Sequence, residues 1–542
     1  MTKRRLYASF LLLLAGSAAL LVGAGLRGRA PDLKTARQVA RRARIRPDYA
    51  DIVVPPNIAP LNFVIQEPAR RYYVRIGSAV GPPVEVASRD GKVQIPLTAW
   101  RRLLTANTDR EFSIRVFALA EDGQWDVFEP ALNKVAAEPV DPYLFYRFIN
   151  SVFTMWVDVS MHERRLEDFE ERLIVDSDAL DVGCVNCHTF LHGRPDTMLL
   201  HMRHGPLPAG YGSGMVMIRE GKVSLVDTRT PQSLGPAGFT TWHPSGRLMV
   251  FSMNRVTQFF HGATTEVREV VDLDSDLAAY YPDLQTVASV AAIAQPNVLE
   301  SWPEWSADGR YLYYCAAPVL WEDRYSVPPK DYEKVRYALM RISYDVQTGA
   351  WGQPETVLSP EQVGLSITQP RASPDGRFLL LSMCDRSTFP SFRQSADLYM
   401  LDLASRSYWR LECNSDQAES WHCWSANGRW IVFSTKRDDG LFVRPYFSYV
   451  STDGHASKPF LLPQEDPAFY DSCAKLFQVP EFAKGPLPVA GERLARVMRS
   501  RRWTAVGTPT TGGAPGPEPA AWGEASPAPG DHAPWYPAVG RE

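Results

Sequence analysis

The chain has no surplus of either charge. Its 58 basic and 61 acidic residues leave a formal net charge of −3 over 542 residues, so no chain-wide basic field is available to hold nucleic acid. Cysteine is scarce, with 7 in all, so a C-x-x-C-H run at Cys184–His188 is not a by-product of abundance. No βαβ pattern surrounds that C-x-x-C, which disfavours a thioredoxin-like redox motif. No G-x-S-x-G elbow occurs, which argues against a serine peptidase or esterase. Asp272, Asp274 and Asp276 invite a calcium reading, but Leu277 and Asp283 stand where an EF-hand loop needs Gly and Glu, and a polar strand face or turn is expected instead.

What is abundant points to β structure. The 15 Trp, 22 Tyr, 36 Gly and 44 Pro suit a turn-rich β protein better than a helical bundle. At this length two or three folded domains are expected. The first residues carry a basic start and an almost uncharged apolar run, Leu6 to Leu26, long enough to span a bilayer. No cysteine follows the run and no A-x-A site precedes Arg27, so residues 1–30 are expected to be an uncleaved anchor, with an export signal as the alternative. The segment after the run is more basic than Lys3, Arg4 and Arg5, which by the positive-inside rule puts the body in the cytoplasm. Large domains are exported regardless of flanking charge, and the cysteine chemistry below requires export, so a periplasm-facing body is expected.

Residues 31–51 read as a basic linker near anionic headgroups or a plain solvated spacer. Residues 52–140 carry short alternating runs such as RRYYVRIGSAV, KVQIPL and EFSIRVFAL, which predict a small β-sandwich. Asp141-Pro142 resembles an N-cap followed by proline at the first helical position, and Leu166, Phe169 and Leu173 fall at helical spacing. Residues 141–205 are therefore expected to be helical. Beyond Gly205 a repeat recurs: WHPSGRLMVFS from Trp242, WSADGRYLYYC from Trp305, ASPDGRFLLLS from Ala372 and WSANGRWIVFS from Trp424. Each places Gly246, Gly309, Gly376 or Gly428 in a tight turn before Arg and an apolar strand. Such a repeat is one propeller blade, and about six blades are expected over 206–485. Residues 486–542 read as a basic helix, GERLARVMRSRRW, and a disordered Pro/Gly/Ala-rich tail from Gly507.

The blade wording, S-P-D-G-R before an apolar strand, resembles the TolB-like β-propellers of bacterial envelopes over roughly residues 206–480. This likeness implies a fold and leaves function open, because propellers host many functions.

The stretch CVNCH has the composition of a c-type haem site. Two thiols, Cys184 and Cys187, would add to the porphyrin vinyl groups, and the adjacent His188 would ligate iron from one face. A structural zinc would need two more ligands, the nearest being His192, His201 and His204. The run MLLHMRHG offers Met198, His201, Met202 and His204 for the other iron face, with Met215 and Met217 further on. His201 ranks first and Met202 second; His204 reads as a loop residue, and Met198 and Met215 as core. Bis-His ligation lowers the potential and His-Met raises it. Here the sequence also resembles a group of envelope proteins in which a haem c segment with an H-M-R triplet precedes a TolB-like propeller, whose blades begin WHPSG and which share PPNIAPLNF near Pro55. That resemblance, over most of residues 52–480, implies one covalent haem c and does not identify the sixth ligand.

Among the remaining cysteines Cys413 and Cys423 could close a short loop, and Cys315 reads as a buried inert thiol. His243, His261 and His422 lie in or beside the repeats and could face the propeller channel, although a hydrogen-bonded structural histidine is the commoner case. The expected fold is thus mainly β: a transmembrane anchor, a small β-sandwich, a helical haem c segment and a propeller of about six blades. The expected function is one-electron transfer by a membrane-anchored periplasmic monohaem cytochrome, with the propeller docking a redox partner or complex subunit and no nucleic acid involved. The alternatives are a haem enzyme, by analogy with nitrite reductases that place a c haem ahead of a propeller, and an envelope adaptor or sensor with a structural haem.

Overall fold

The structure is a computed structural model that describes residues 35–150, 158–180, 183–203, 213–231, 233–234, 237–260, 262, 268–323 and 326–507. The apolar run Leu6–Leu26, His204, His261 and the tail after Gly507 lie outside the described residues. None of the described helices is long and apolar enough to cross a membrane.

The first of the described residues form a β-sandwich of a seven-stranded and a three-stranded sheet. It begins earlier than the sequence suggests. Arg37–Arg42 and Ile45–Arg46 are strands, the first paired in parallel with Trp125–Glu129. The supposed linker is therefore part of the sheet, and its arginines are matched to carboxylates: Arg37 with Asp126, Arg41 with Glu67, Arg42 with Asp51 and Arg46 with Asp471. Glu67 is held down at about 2, chiefly by the hydrogen bonds from Arg41.

Residues 143–483 form six sheets whose innermost strands are neighbours in a closed ring, a six-bladed β-propeller. The first blade is Tyr143–Asn150, Ser160–Arg165 and Glu171–Asp176, completed on its inner side by Lys475–Ala483 from the far end of the chain. The other inner strands are Cys184–Leu191, Thr240–Trp242, Val298–Trp305, Ser366–Ala372 and Glu419–Trp424, in blades two to six. The glycines of the repeat sit at φ +70°, +72°, +72° and +67° in the turns leaving the inner strands. At Gly309 a Cβ would also lie 2.6 Å from Nε2 of His243, so glycine is required there twice over.

The helical expectation for residues 141–205 is overturned: apart from the short 3₁₀ turn Ser177–Leu180, the described part is strand. YLFYRFIN is rich in aromatic residues that suit a half-buried pleated surface, and it pairs on both sides. The helical spacing of Leu166, Phe169 and Leu173 is fortuitous. Arg165 N–H donates to Glu170 O at 2.9 Å and Asp168 accepts from Glu170 N at 3.0 Å, closing a hairpin turn that leaves Leu173 exposed on the next strand. Asp141 caps no helix; its Oδ2 accepts from the Ala426 N–H at 2.7 Å. Two blades thus precede residue 240, and the propeller starts some sixty residues before the boundary read from the repeats.

The sandwich docks across the seam where the ring closes. One core joins Trp100, Phe112 and Val135 of the sandwich with Tyr146 and Phe477 of the first blade and Trp430 and Phe447 of the sixth. Trp430 Nε1 donates to Glu138 O at 3.0 Å, and Asn62 Nδ2 to Gln464 O at 3.1 Å. Burying aromatic side chains on both sides of the seam stabilises closure by roughly 1.5–3 kcal/mol each. The expected basic helix is present at Gly491–Ser500, with Leu494 and Met498 buried against the first two blades, and Trp503–Ala505 adds an outer strand to the second.

Candidate functional site

The six inner strands share one local design. Asn186-Cys-His-Thr-Phe, Gly238-Phe-Thr-Thr-Trp, Ser301-Trp-Pro-Glu-Trp, Thr368-Gln-Pro-Arg-Ala, Ser420-Trp-His-Cys-Trp and Gln478-Val-Pro-Glu-Phe occupy equivalent places around the channel. In five of them the second residue has positive φ: Cys187 at +35°, Trp302 at +55°, Gln369 at +51°, Trp421 at +50° and Val479 at +51°. The pairing register slips at the same points. Each is a β-bulge that costs of order 1 kcal/mol of backbone strain and re-aims the next side chains towards the axis. CVNCH is therefore the bulge of the second blade, not a helix start.

These bulges line a small cavity of about 40 Å³ in the channel. Its wall includes Cys187, His188, Thr240, Pro303, Pro370, Pro480 and His422. Phe239 stacks on Trp302 with ring centroids 3.6 Å apart, and Trp421 meets Trp302 edge-on at 5.3 Å. Trp302 is fixed by donating from Nε1 to Thr388 Oγ1 at 2.8 Å. The wall is mixed, its aromatic rings and prolines alternating with Thr240, Gln369, Arg371, Glu481 and two histidines.

Several polar atoms around this cavity are buried without a hydrogen-bond partner: His188 Nε2, Gln369 Nε2, Trp421 Nε1, His422 Nδ1 and Glu481 Oε2. His188 Nε2 stands 3.9 Å from Glu481 Oε2. Burial, with the Arg147 and Arg371 cations nearby, drives the His188 imidazole down to about 3, so it is neutral. His422 is likewise neutral at about 3, chiefly through burial. Burial raises the Glu481 carboxyl to about 7 against the attraction of Arg371, which pairs with Glu304 at 3.4 Å.

All seven cysteines are thiols, so Cys413 and Cys423 form no bridge, and Cys315 is buried as expected. Cys184 and Cys187 are both buried, and desolvation raises both thiols, Cys187 to about 11. Among the described residues no group of three or more His, Cys, Asp and Glu is placed to hold a bare metal ion. Asp272, Asp274 and Asp276 lie on a strand, with Asp272 accepting from Asn254 and Tyr337.

The structure brings Cys187, His188 and His422 to one cavity and leaves His201 and Met202 outside it. His201, opposite Asn186 on the next strand, bonds through Nε2 to Thr240 Oγ1 at 2.9 Å, and Thr240 itself bonds to Gly238 O. Thr240 therefore stands between His201 and the cavity. Met202 is packed with Met198, Val185 and Phe145 in the core between the first two blades. Met215 and Met217 are core residues of the second and third blades. His243 is structural, bonding Ser245 Oγ at 2.7 Å and Gly309 O at 3.0 Å, and His192 bonds Pro244 O. The roles of Glu481, Arg371 and Gln369 were not visible from composition. They are found by aligning the five residues upstream of each glycine turn, where His192-Gly193-Arg194 is the matching, shortened turn of the second blade.

The residue types are those of a covalent haem site, two unbridged thiols and an adjacent neutral imidazole whose Nε2 has no partner, but Cys184 is not in the cavity wall and a cavity of about 40 Å³ has no room for that group in the folded chain. The comparisons with known proteins add no assignment. No family model and no curated protein matches the chain. Among solved structures it is similar to a luciferin-regenerating enzyme (9% identity, 59% of this chain and 87% of that chain, TM-score 0.35). It is similar also to an oligogalacturonate lyase in complex with manganese (9%, 58% and 72%, TM-score 0.33) and to the Dos1 propeller (14%, 45% and 66%, TM-score 0.27). Likeness at this level bears on neither activity nor cofactor. The class of protein is defined by its own sheets: a six-bladed β-propeller with a β-sandwich clamped over its closing seam.

Proposed function

We propose that the chain is a monohaem c-type cytochrome of the cell envelope that transfers one electron at a time. In this reading Cys184 and Cys187 would carry the thioether links and His188 would ligate the iron. The observation that carries it is the His188 side chain, which is 4% exposed, neutral, and has Nε2 without a partner in the channel cavity. An imidazole buried in that way loses a hydrogen bond worth about 1–3 kcal/mol unless something ligates it. A haem bound there would supply a reversible one-electron couple whose potential depends on its axial ligands and burial.

The chain's own contributions follow from its geometry. The Cys187 bulge turns His188 to the axis, Phe239, Trp302 and Trp421 keep water from that face, and Arg147, Arg203 and Arg371 supply positive charge near the thiols and imidazole. Both thiols are buried, so attachment must precede closure of the ring by Lys475–Ala483. The apolar run Leu6–Leu26 supports a membrane anchor with the body in the periplasm, where thiols meet the attachment machinery. The propeller then serves as the docking surface for a redox partner or a neighbouring subunit.

The test is a pyridine haemochrome spectrum of full-length protein from cells able to mature c-type cytochromes, beside Cys184→Ala and Cys187→Ala. The wild type is expected to give a c-type spectrum that survives acid extraction. Each single variant should lose one thioether and shift the α-band. A wild type from which acid extracts all haem would defeat the reading.

A further inference from the structure

We infer that the mouth of the propeller channel binds a small zwitterion, an apolar α-amino acid, with its ammonium on Glu481 and its carboxylate on Arg371. The inference stands apart from the haem reading and concerns a different cavity, of about 350 Å³, on the face where the glycine turns lie. Ala307, Pro374 and Ala426 of those turns are exposed at its rim. Its floor is one ring of side chains, the fourth residue of each inner-strand motif: Glu481, Thr189, Thr241, Glu304, Arg371 and Cys423 in blades one to six. Glu481 and Arg371 also border the small bulge cavity, so this ring separates the two spaces. The fifth residues, with Phe482, Phe190, Trp242, Trp305 and Trp424 among them, make the wall above the floor mostly aromatic.

Two of the six floor residues are carboxyls in equivalent places, on blades one and four at opposite sides of the channel. Each accepts from the backbone N–H of the fifth residue of the next blade, Glu304 from Ala372 at 3.1 Å and Glu481 from Phe190. Glu304 is satisfied at its other oxygen too, by Thr241 Oγ1 at 3.2 Å and Arg371 Nη1 at 3.4 Å. Glu481 is not. The residue is 9% exposed, and its Oε2 is buried with no hydrogen-bond partner. A buried carboxylate oxygen without a donor is unfavourable, and an ammonium supplies charge-assisted N–H bonds there. Arg371 presents the opposite sign to the same cavity. Among the described residues its guanidinium bonds only Glu304, through Nη1, and its side chain is 29% exposed, which leaves N–H groups for an acceptor. A lone cation would face Arg371, and a lone anion would face Glu304 and Glu481. An α-amino acid carries both charges on either side of one carbon, and the aromatic wall above the floor suits an apolar side chain.

Isothermal titration of full-length protein tests this with L-leucine and L-phenylalanine as probes. Isoamylamine, which is leucine without its carboxylate, and isocaproate, which is leucine without its ammonium, are the comparison ligands. Leucine or phenylalanine is expected to bind saturably, and each comparison ligand about tenfold or more weakly than leucine, because each gives up one charge-assisted contact. Glu481→Gln should weaken leucine by about tenfold and leave isocaproate unchanged. Arg371→Gln should weaken leucine and leave isoamylamine unchanged. Where Arg371→Gln folds poorly by urea unfolding, Arg371→Lys keeps a cation beside Glu304, loses the planar fork, and should still weaken leucine. Absence of binding by both amino acids at millimolar concentration would overturn the proposal. So would either comparison ligand binding as tightly as leucine, or a leucine affinity unchanged in Glu481→Gln. None of these outcomes bears on covalent haem, which the haemochrome spectrum reads separately.

Discussion

Asp272 makes the stability of the propeller fall as pH rises. The side chain is 1% exposed on the long strand Arg268–Tyr281 of the third blade, accepting from Asn254 Nδ2 at 3.1 Å and Tyr337 Oη at 3.2 Å. Burial raises its carboxyl from 3.8 to about 7, and the charge of Asp274 adds to the shift. A folded value above the unfolded one means that the native state holds the proton more tightly. The stabilisation is complete below about pH 4, declines through the range up to pH 7, and is gone above that. Between pH 5 and pH 8 the loss from this group is about 2.5 kcal/mol. Urea unfolding followed by tryptophan fluorescence at both pH values measures it. Asp272→Asn, which imitates the protonated form, should remove about 2.5 kcal/mol of the difference between the two pH values and leave the m-value unchanged. A variant whose stability falls with pH as steeply as the wild type's would refute the reasoning.

Three further outcomes follow from packing. Trp430→Ala empties the core shared by sandwich and ring and removes the bond to Glu138 O, and should cost about 3–5 kcal/mol in the same unfolding assay. Gly309→Ala combines positive φ with a Cβ 2.6 Å from His243 Nε2, and should lower stability by at least about 1–2 kcal/mol, part of which His243→Ala restores in the double variant. In protein made without haem maturation, Cys187 is raised to about 11 and buried, so alkylation of it at pH 8 should be negligible until urea opens the ring. Rapid labelling of Cys187 in the folded chain would show that the channel is open.

The blade turns were legible from local chemistry, because Gly246, Gly309, Gly376 and Gly428 each need a conformation that glycine adopts freely. The first two blades were misread because their turns lack the S-P-D-G-R wording, and because Leu166, Phe169 and Leu173 happen to fall at helical spacing across a hairpin. The pairing of Tyr143–Asn150 with Lys475–Ala483 joins segments more than three hundred residues apart, and no local pattern announces it. The basic stretch Arg37–Arg46 looked like a surface for headgroups because its carboxylate partners, Asp126, Glu67, Asp51 and Asp471, are mostly distant in sequence. At the candidate site the CVNCH chemistry was legible from residue types alone. Its setting in a strand bulge, and its neighbours His422, Glu481 and Trp302, emerge only when six inner strands are laid side by side.

The central claim is covalent attachment of one haem at the second-blade bulge. Intact-mass measurement of full-length protein from cytochrome-maturing cells, followed by peptide mapping, tests it most directly. The account predicts an added mass of one haem, carried wholly by the peptide containing Cys184, Cys187 and His188 and absent from the Cys184→Ala/Cys187→Ala double variant. An unmodified mass from cells that mature a control cytochrome would contradict it, as would haem on a peptide lacking both cysteines.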